Sequence, residues 1–205
     1  MKLLYGTTNQ AKRNSMQRRI PDLGIELQSL AEIEGEIPEV EENGKTPLDN
    51  ARLKAEAYYK AFQVPVFSCD SGLYFDDVPD EVQPGVHVRT VNEKSLIDEE
   101  MLEHYSQLAR KYGPLKARYK NAICLIFDEN ERYESMDESL WGSYFQIVDT
   151  PHPRQHQPGF PLDRLSVHIG TGKYYYDLEG REVDSSAVDI GYYEFFKKVL
   201  EARRE

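Results

Sequence analysis

Cysteine is scarce in this chain. Cys69 and Cys124 are the only two in 205 residues, and neither belongs to a Cys-x-x-Cys or a Cys/His cluster of zinc spacing. Two thiols cannot staple a domain of this size, so a disulfide scaffold and a Cys-rich zinc module are excluded and a reducing compartment is expected. Long apolar runs are missing as well. The opening MKLLYGTTNQAK turns polar after three or four apolar residues, and nothing later approaches the ~20 residues a membrane span needs. No membrane partner is therefore expected, and the cytoplasm is the expected location. Positive charge is in short supply: 25 Lys and Arg stand against 36 Asp and Glu, a net charge of −11. That balance disfavours a broad basic surface for a nucleic-acid polymer.

Packing material is not lacking. Hydrophobic residues make up 40% of the chain and aromatics 11%, with 14 tyrosines, too much for an intrinsically disordered chain. The length corresponds to one domain or one and a half at about 150 residues each. No internal repeat or low-complexity segment is present.

The short apolar segment Lys2 to Thr7 runs into Thr8, Asn9 and Gln10, the pattern of a buried strand meeting a helix with Asn9 as N-cap. Ile25 to Leu30 is strand-like. Six glutamates then fall between Glu32 and Glu42, with Pro38 and Gly44 blocking regular structure, so an acidic loop is expected. Thr46-Pro47-Leu48-Asp49 is a helix start with a capping-box pattern. Leu48, Ala51, Ala55, Tyr58 and Phe62 form its buried stripe, with Asn50 and Lys54 one turn apart on the flank. Val64 to Cys69 reads as a strand ending in an Asp70-Ser71-Gly72 turn. A further helix is expected from a Ser95-x-x-Asp98 box, with Met101, Tyr105, Leu108 and Tyr112 facing inward. Ala122 to Phe127, a strand near Tyr133 and Ser143 to Val148 suggest an antiparallel meander. Thr150 to Pro161, with four prolines and two histidines, is an ordered loop. Leu165 to Ile169 is a strand, and Tyr192, Phe195 and Val199 line a closing helix.

Three features carry chemistry. The junction Thr7-Thr8-Asn9-Gln10-Ala11-Lys12 offers backbone N–H groups at a helix N-terminus with a lysine one turn in, which suits a phosphate; a cap and surface lysine also begin many ordinary helices. Asp70 lies where ligands collect at the carboxyl ends of strands in open α/β sheets, or is a turn carboxylate. The acidic loop is a solvated stretch, or supplies a carboxylate that joins Asp70 on Mg²⁺, a hard cation held by one or two carboxylates and substrate phosphates. His152 and His156 are four apart, but Pro151 and Pro153 argue for a polar loop over a metal site. Cys124 reads as a buried small side chain, and Trp141 and Tyr174-Tyr175-Tyr176 as packing or dimer surface.

Taken in order, the motifs carry a family resemblance. Thr7-Thr8-Asn9-Gln10-Ala11-Lys12 resembles the Thr-Gly-Asn-x-x-Lys opening of the inosine triphosphatase family, the non-canonical purine nucleoside triphosphate pyrophosphatases. Glu42-Asn43-Gly44-Lys45-Thr46, Asp49-Asn50-Ala51 and Lys54-Ala55 are similar to its Glu-x-Gly-x-Thr and Glu-Asn-Ala-x-x-Lys-Ala. Cys69-Asp70-Ser71-Gly72-Leu73 resembles Asp-Asp-Ser-Gly-Leu, and Pro84-Gly85-Val86 with Arg89 resembles Pro-Gly-Ile and its arginine. Gly159-Phe160-Pro161-Leu162-Asp163 and Gly172-Lys173 are similar to Gly-Phe-Gly-Tyr-Asp and the following Gly-Lys. The resemblance implies an α/β fold over residues 1–205, a single two-lobed domain with an elongated mixed sheet and a central cleft, usually a homodimer. It implies hydrolysis of nucleoside triphosphates to monophosphate and pyrophosphate with Mg²⁺. Carried over by position, Thr7, Thr8, Asn9 and Lys12 would hold the triphosphate with Ser71, and Lys54 would add charge. Asp70 would bind metal and orient or deprotonate water. Glu42 would be the second metal carboxylate, with Glu39 and Glu41 as neighbours. Phe160 would stack on the base, Asp163 would bond near base or sugar, and Lys173 would reach the nucleotide.

The departures matter as much. Thr8 replaces a glycine in the phosphate loop, Cys69 replaces the first aspartate of the pair, and Leu162 replaces a tyrosine. The family's Ser-His-Arg has no counterpart, since the stretch reads Ser186-Ala187-Val188-Asp189-Ile190-Gly191. Altered base preference is therefore expected, with Asp189 as an acceptor if it faces the base. The alternative is a nucleotide-binding protein of this fold with weak or no catalysis; a third reading is a flavodoxin-like interaction domain.

Overall fold

In the computed structural model, residues 1–156, 158–178 and 186–204 are described. The chain is α/β with a mixed sheet and divides into two compact units. The first comprises Met1–Ser71, Lys120–Trp141 and the C-terminal helix, and the second Gly72–Tyr119 with the described residues from Gly142 to Leu178.

The first unit begins with β1 (Lys2–Tyr5), α1 (Gln10–Arg19) and β2 (Glu26–Ser29), followed by α2 (Pro47–Phe62) and β3 (Val66–Phe75). β1 lies between β2 and β3 and is parallel to both, with Leu3 opposite Leu27 and Tyr5 opposite Phe67. Parallel strands covered on both faces need near-continuous apolar residues, and Leu3, Leu4, Val66 and Phe67 are all buried. β6 (Leu115–Ile126) follows β3 in the sheet, and β7 (Arg132–Ser135) pairs antiparallel with its Ile123–Ile126 half. α4 (Ser186–Ala202) closes one apolar cluster with Tyr192, Phe196 and Val199. Cys124 is fully buried, as its apolar surroundings suggested.

The second unit holds a β4–β5 hairpin (Thr90–Val91, Lys94–Ser95), α3 (Asp98–Tyr112), β8 (Phe145–Ile147) and β9 (Ser166–Val167). β8 pairs antiparallel with Leu115–Ala117 of β6 and with β9. Met101 and Tyr105 are buried, with Leu108 and Tyr112 packed at the margin of the cluster.

Four local expectations need correction. The Asp70-Ser71-Gly72 turn is absent: β3 runs through these residues, because Leu73 and Gly85 exchange backbone hydrogen bonds of 2.9 Å in each direction and extend the pairing. The box at Ser95 does not start α3. Ser95 pairs with Thr90 in the hairpin, and Glu100 caps the helix by accepting from the Ile97 N–H at 3.1 Å. The meander is not sequential, since β7 and β8 each pair with a different half of β6. In α4, Phe196 is the buried ring, with Phe195 only partly covered.

Candidate active site

Within the first unit, α1, α2, β3 and α4 surround a cavity of about 470 Å³. Its construction begins with α1. Asn9 caps this helix through Oδ1, which accepts from the Ala11 N–H at 2.9 Å and the Lys12 N–H at 3.2 Å. Two amides expected to be open to an anion are thereby closed by the cap itself. The side-chain amide of Asn9 remains a donor. Thr7 Oγ1 accepts from the Asn9 N–H at 3.2 Å. Thr8, where the resembled motif has glycine, is not among the residues with positive φ, so the loop accepts its Cβ. Lys12 is exposed, lines the cavity and makes no ion pair among the described residues.

α2 supplies the centre. Its N-terminus is closed by the Thr46–Asp49 capping box, Asp49 N–H donating to Thr46 Oγ1 at 3.2 Å and Thr46 N–H to Asp49 Oδ2 at 3.0 Å. One turn on, Asn50 is buried: its Oδ1 accepts from the Gly44 N–H at 2.8 Å and its Nδ2 donates to Asp70 Oδ2 at 3.2 Å. A Cβ on Gly44 would lie 2.6 Å from Asn50 Oδ1, so the acidic loop can meet α2 only through a glycine. A further turn on, Lys54 Nζ stands 2.8 Å from Asp70 Oδ1 and 2.7 Å from Glu42 Oε2. The side chains of Lys54 and Asp70 are only 12% and 15% exposed. Burial opposes the Lys54 charge, but Asp70 and Glu42 outweigh it and hold its pKa above the ordinary value. Glu39 and Glu41 are exposed on the loop.

β3 carries Cys69, Asp70 and Ser71. Ser71 Oγ donates to Asn121 Oδ1 at 2.7 Å, and Asn121 Nδ2 donates to the Leu140 carbonyl at 2.6 Å. Burial pushes the Cys69 thiol up to about 12, against hydrogen bonds with Tyr192 and Tyr5 that lower it. The position where the resembled motif has the first aspartate of its pair is therefore neutral. Tyr5 and Tyr192 are also held above the ordinary range by burial, so this wall carries no negative charge. At the start of α4, Asp189 faces α1 and accepts from Arg19 Nε at 2.6 Å. Its carboxylate is engaged by an ion pair, where the sequence suggested a base acceptor. The structures of Gln157 and residues 179–185, and the side chains of Ser186 and Ala187, lie outside the described residues.

The remaining sequence-derived residues belong to the second unit. Phe160 is 51% exposed and precedes a short 3₁₀ turn, Pro161–Arg164, that carries Asp163. Asp163 lines a cavity of about 440 Å³ with Tyr119, Phe145, Tyr175 and Tyr176. Although Asp163 is exposed, these aromatic walls desolvate its carboxyl and raise its pKa, against the opposing effect of His156. Lys173 is exposed, and its backbone pairs with His168 and Thr171. His152 and His156 do not share a ligand: His152 meets Asp177 at 3.2 Å and His156 meets Asp98 at 3.1 Å.

Asn50, Arg19 and Asn121 were not singled out as site residues by sequence reasoning. A signal existed for two of them. Asn50 stands four residues before Lys54, and Arg19 follows Lys12 at seven residues, spacings that share a helix face.

The resemblance implies a divalent cation. Asp70 of β3 and Glu42 of the acidic loop converge on one small volume, filled by the Lys54 ammonium. Two hard oxygen donors suit Mg²⁺ completed by water and substrate phosphates. No group of three or more His, Cys, Asp and Glu able to hold a metal occurs among the described residues. The donor set thus fits a metal that arrives with a phosphate substrate better than an all-protein cage.

Fold and site together give an α/β protein with a polar cavity lined by Lys12, Lys54 and Asp70, with Glu42 paired to Lys54. The chain belongs to the Ham1 family, whose model matches residues 3–175. It is similar to the dITP/XTP pyrophosphatase of Brucella melitensis, with 29% identity over 88% of this chain and 81% of that protein. The one from Treponema denticola is 27% identical over 90% and 91%. A segment of 87 residues is 40% identical to the Aquifex aeolicus dITP/XTP pyrophosphatase and covers 40% of that protein's length. Among solved structures, a HAM1 protein from Coxiella burnetii superposes with a TM-score of 0.75 at 22% identity, covering 98% of this chain and 99% of that one. The motif order in the sequence leads to the same family.

Proposed function

We infer that this chain hydrolyses non-canonical nucleoside triphosphates, of the dITP and XTP class, to nucleoside monophosphate and pyrophosphate. The observation that carries the reading is that Lys54 and Asp70, with Glu42 paired to Lys54, line one cavity with Lys12, in a chain of a family whose relatives bear that activity in their names. A magnesium ion held by Asp70 and Glu42 would supply Lewis-acid charge to the phosphates.

The chain's own residues divide the rest. Lys12 and the amide of Asn9, with Thr7, Thr8 and Ser71 beside them, bind the phosphate chain. Lys54 contributes positive charge and holds Asp70 through Oδ1. Asn50 holds Asp70 through Oδ2, so the carboxylate is fixed from both sides and oriented toward an attacking water, which it positions and relieves of a proton. Phe160 offers a stacking face to a base, with Asp163 and Lys173 as polar partners of the nucleotide. We place the whole of residues 1–205 in one functional domain and propose a homodimer in the cytoplasm.

The test is kcat/KM for dITP, XTP, ATP, GTP and pyrimidine triphosphates with Mg²⁺, read by pyrophosphate release. Release from at least one non-canonical purine triphosphate is expected. Nucleotide-induced thermal stabilisation without any release favours the non-catalytic alternative, to which the missing second carboxylate at Cys69 lends support; a ligand at 100 times its Kd adds about 2.7 kcal/mol.

A further inference from the structure

Of the three cations that line the first-unit cavity among the described residues, the one with the most unused hydrogen-bonding capacity is not in any motif. Lys54 is already spent on Asp70 and Glu42. Lys12 is a single exposed ammonium. Arg19 lies seven residues beyond Lys12 on α1, two turns or about 10 Å along the same face, and lines the same cavity. Its Nε donates to Asp189 at 2.6 Å, and its guanidinium carbon sits 5.3 Å from the ring centroid of Tyr192. Asp189 and Tyr192 are three residues apart on α4, so one face of one helix fixes the guanidinium by a charge and by a ring. Neither Nη makes a hydrogen bond among the described residues, which leaves four donors in a planar fork.

A fork held at its Nε and open at both Nη is the geometry that takes two oxygens of a phosphate at once. We propose that Arg19, oriented by Asp189 and Tyr192, is a substrate-binding residue for the pyrophosphate portion of the triphosphate. Lys12 and Arg19 then grip the leaving group from one helix face, and the Arg19–Asp189 pair is a positioning device. The inference rests on the pyrophosphatase reading for its substrate, and its test does not need turnover.

Magnesium pyrophosphate is titrated calorimetrically into the full-length wild type and the Arg19→Ala, Arg19→Gln and Asp189→Asn variants, with circular dichroism to confirm folding. Arg19→Ala and Arg19→Gln are expected to weaken pyrophosphate by at least ~10-fold while changing inosine monophosphate affinity by less than ~3-fold. Asp189→Asn keeps the cation in place and is expected to lose less than either. Wild type that binds no pyrophosphate, Arg19 variants within 2-fold of wild type, or equal losses in the Arg19 and Asp189 variants would overturn the proposal; the last would mean that only the ion pair matters. Wild type that binds pyrophosphate through Arg19 yet cleaves no triphosphate leaves this anion site standing and defeats the pyrophosphatase reading.

Discussion

In the proposed reaction the chemistry turns on Asp70, and its surroundings explain why a small change there should be severe. Lys54 and Asn50 each hold one of its oxygens, so Asp70→Asn preserves shape while removing the charge that we propose orients water and metal. The variant should fold with a wild-type circular dichroism spectrum and lose at least ~10²-fold in kcat; more than a tenth of wild-type turnover would remove Asp70 from the catalytic role. Lys12→Ala should weaken triphosphate binding by ~10-fold or more, a charge-assisted bond of about 1.5 kcal/mol or above, and monophosphate binding less. Equal weakening in calorimetry would place Lys12 elsewhere. Asp70 and Lys54 could be read from the sequence because each stands in a short motif of distinctive residue types. Arg19 could not, because an arginine on a polar helix looks like any solvated charge until Asp189, 170 residues later, is seen to hold it.

At the scale of elements, α2 was the most legible, since Thr46, Pro47 and Asp49 state its start by local chemistry alone. The path of β3 was not legible. Its continuation past Asp70 depends on Gly85, which pairs with Leu73 across eleven residues of intervening chain, and Asp-Ser-Gly locally favours a turn. Gly191 offers a test of how α4 seats on its unit. A Cβ there would lie 1.9 Å from the Ser139 carbonyl oxygen. Gly191→Ala gains up to about 1 kcal/mol in helix propensity, but overpacking against backbone costs about 1–3 kcal/mol, so net destabilisation is expected in chemical unfolding; a stabilised variant would show that α4 can shift. In the second unit, Asp98 accepts from the Gly159 N–H and meets Arg89 and His156, and this holds its carboxyl below the usual carboxylate range. A depressed pKa stabilises the fold above the ordinary carboxylate value, and the contribution is lost as pH falls through the folded-state value. Asp98→Asn should therefore lower Tm at pH 7, with the gap to wild type closing on acidification toward and below pH 3.8; a gap independent of pH would show that the charge is not what anchors the Gly159 loop.

For the whole molecule, the family and mixed α/β fold emerged from six short motifs in order, where each alone is common. Substrate preference is the property the sequence leaves most open. Asp189 is engaged with Arg19, and the family's Ser-His-Arg has no counterpart between Ser186 and Gly191. Apolar contacts discriminate by only ~10- to 200-fold, whereas buried polar groups left unpaired by the wrong ligand reject it by ~10⁴-fold. The preference for inosine or xanthosine over adenosine triphosphate is accordingly expected to stay below ~10³-fold in kcat/KM, and a larger ratio would mean that other residues supply the donors. The central claim, cleavage between the α and β phosphates at the Asp70 site, is tested most directly by phosphorus NMR of dITP and XTP incubated with the protein and Mg²⁺. Monophosphate and pyrophosphate are expected in equal amounts, with both abolished in Asp70→Asn. Orthophosphate and nucleoside diphosphate as the first products, or an unaltered course in the Asp70 variant, would contradict it.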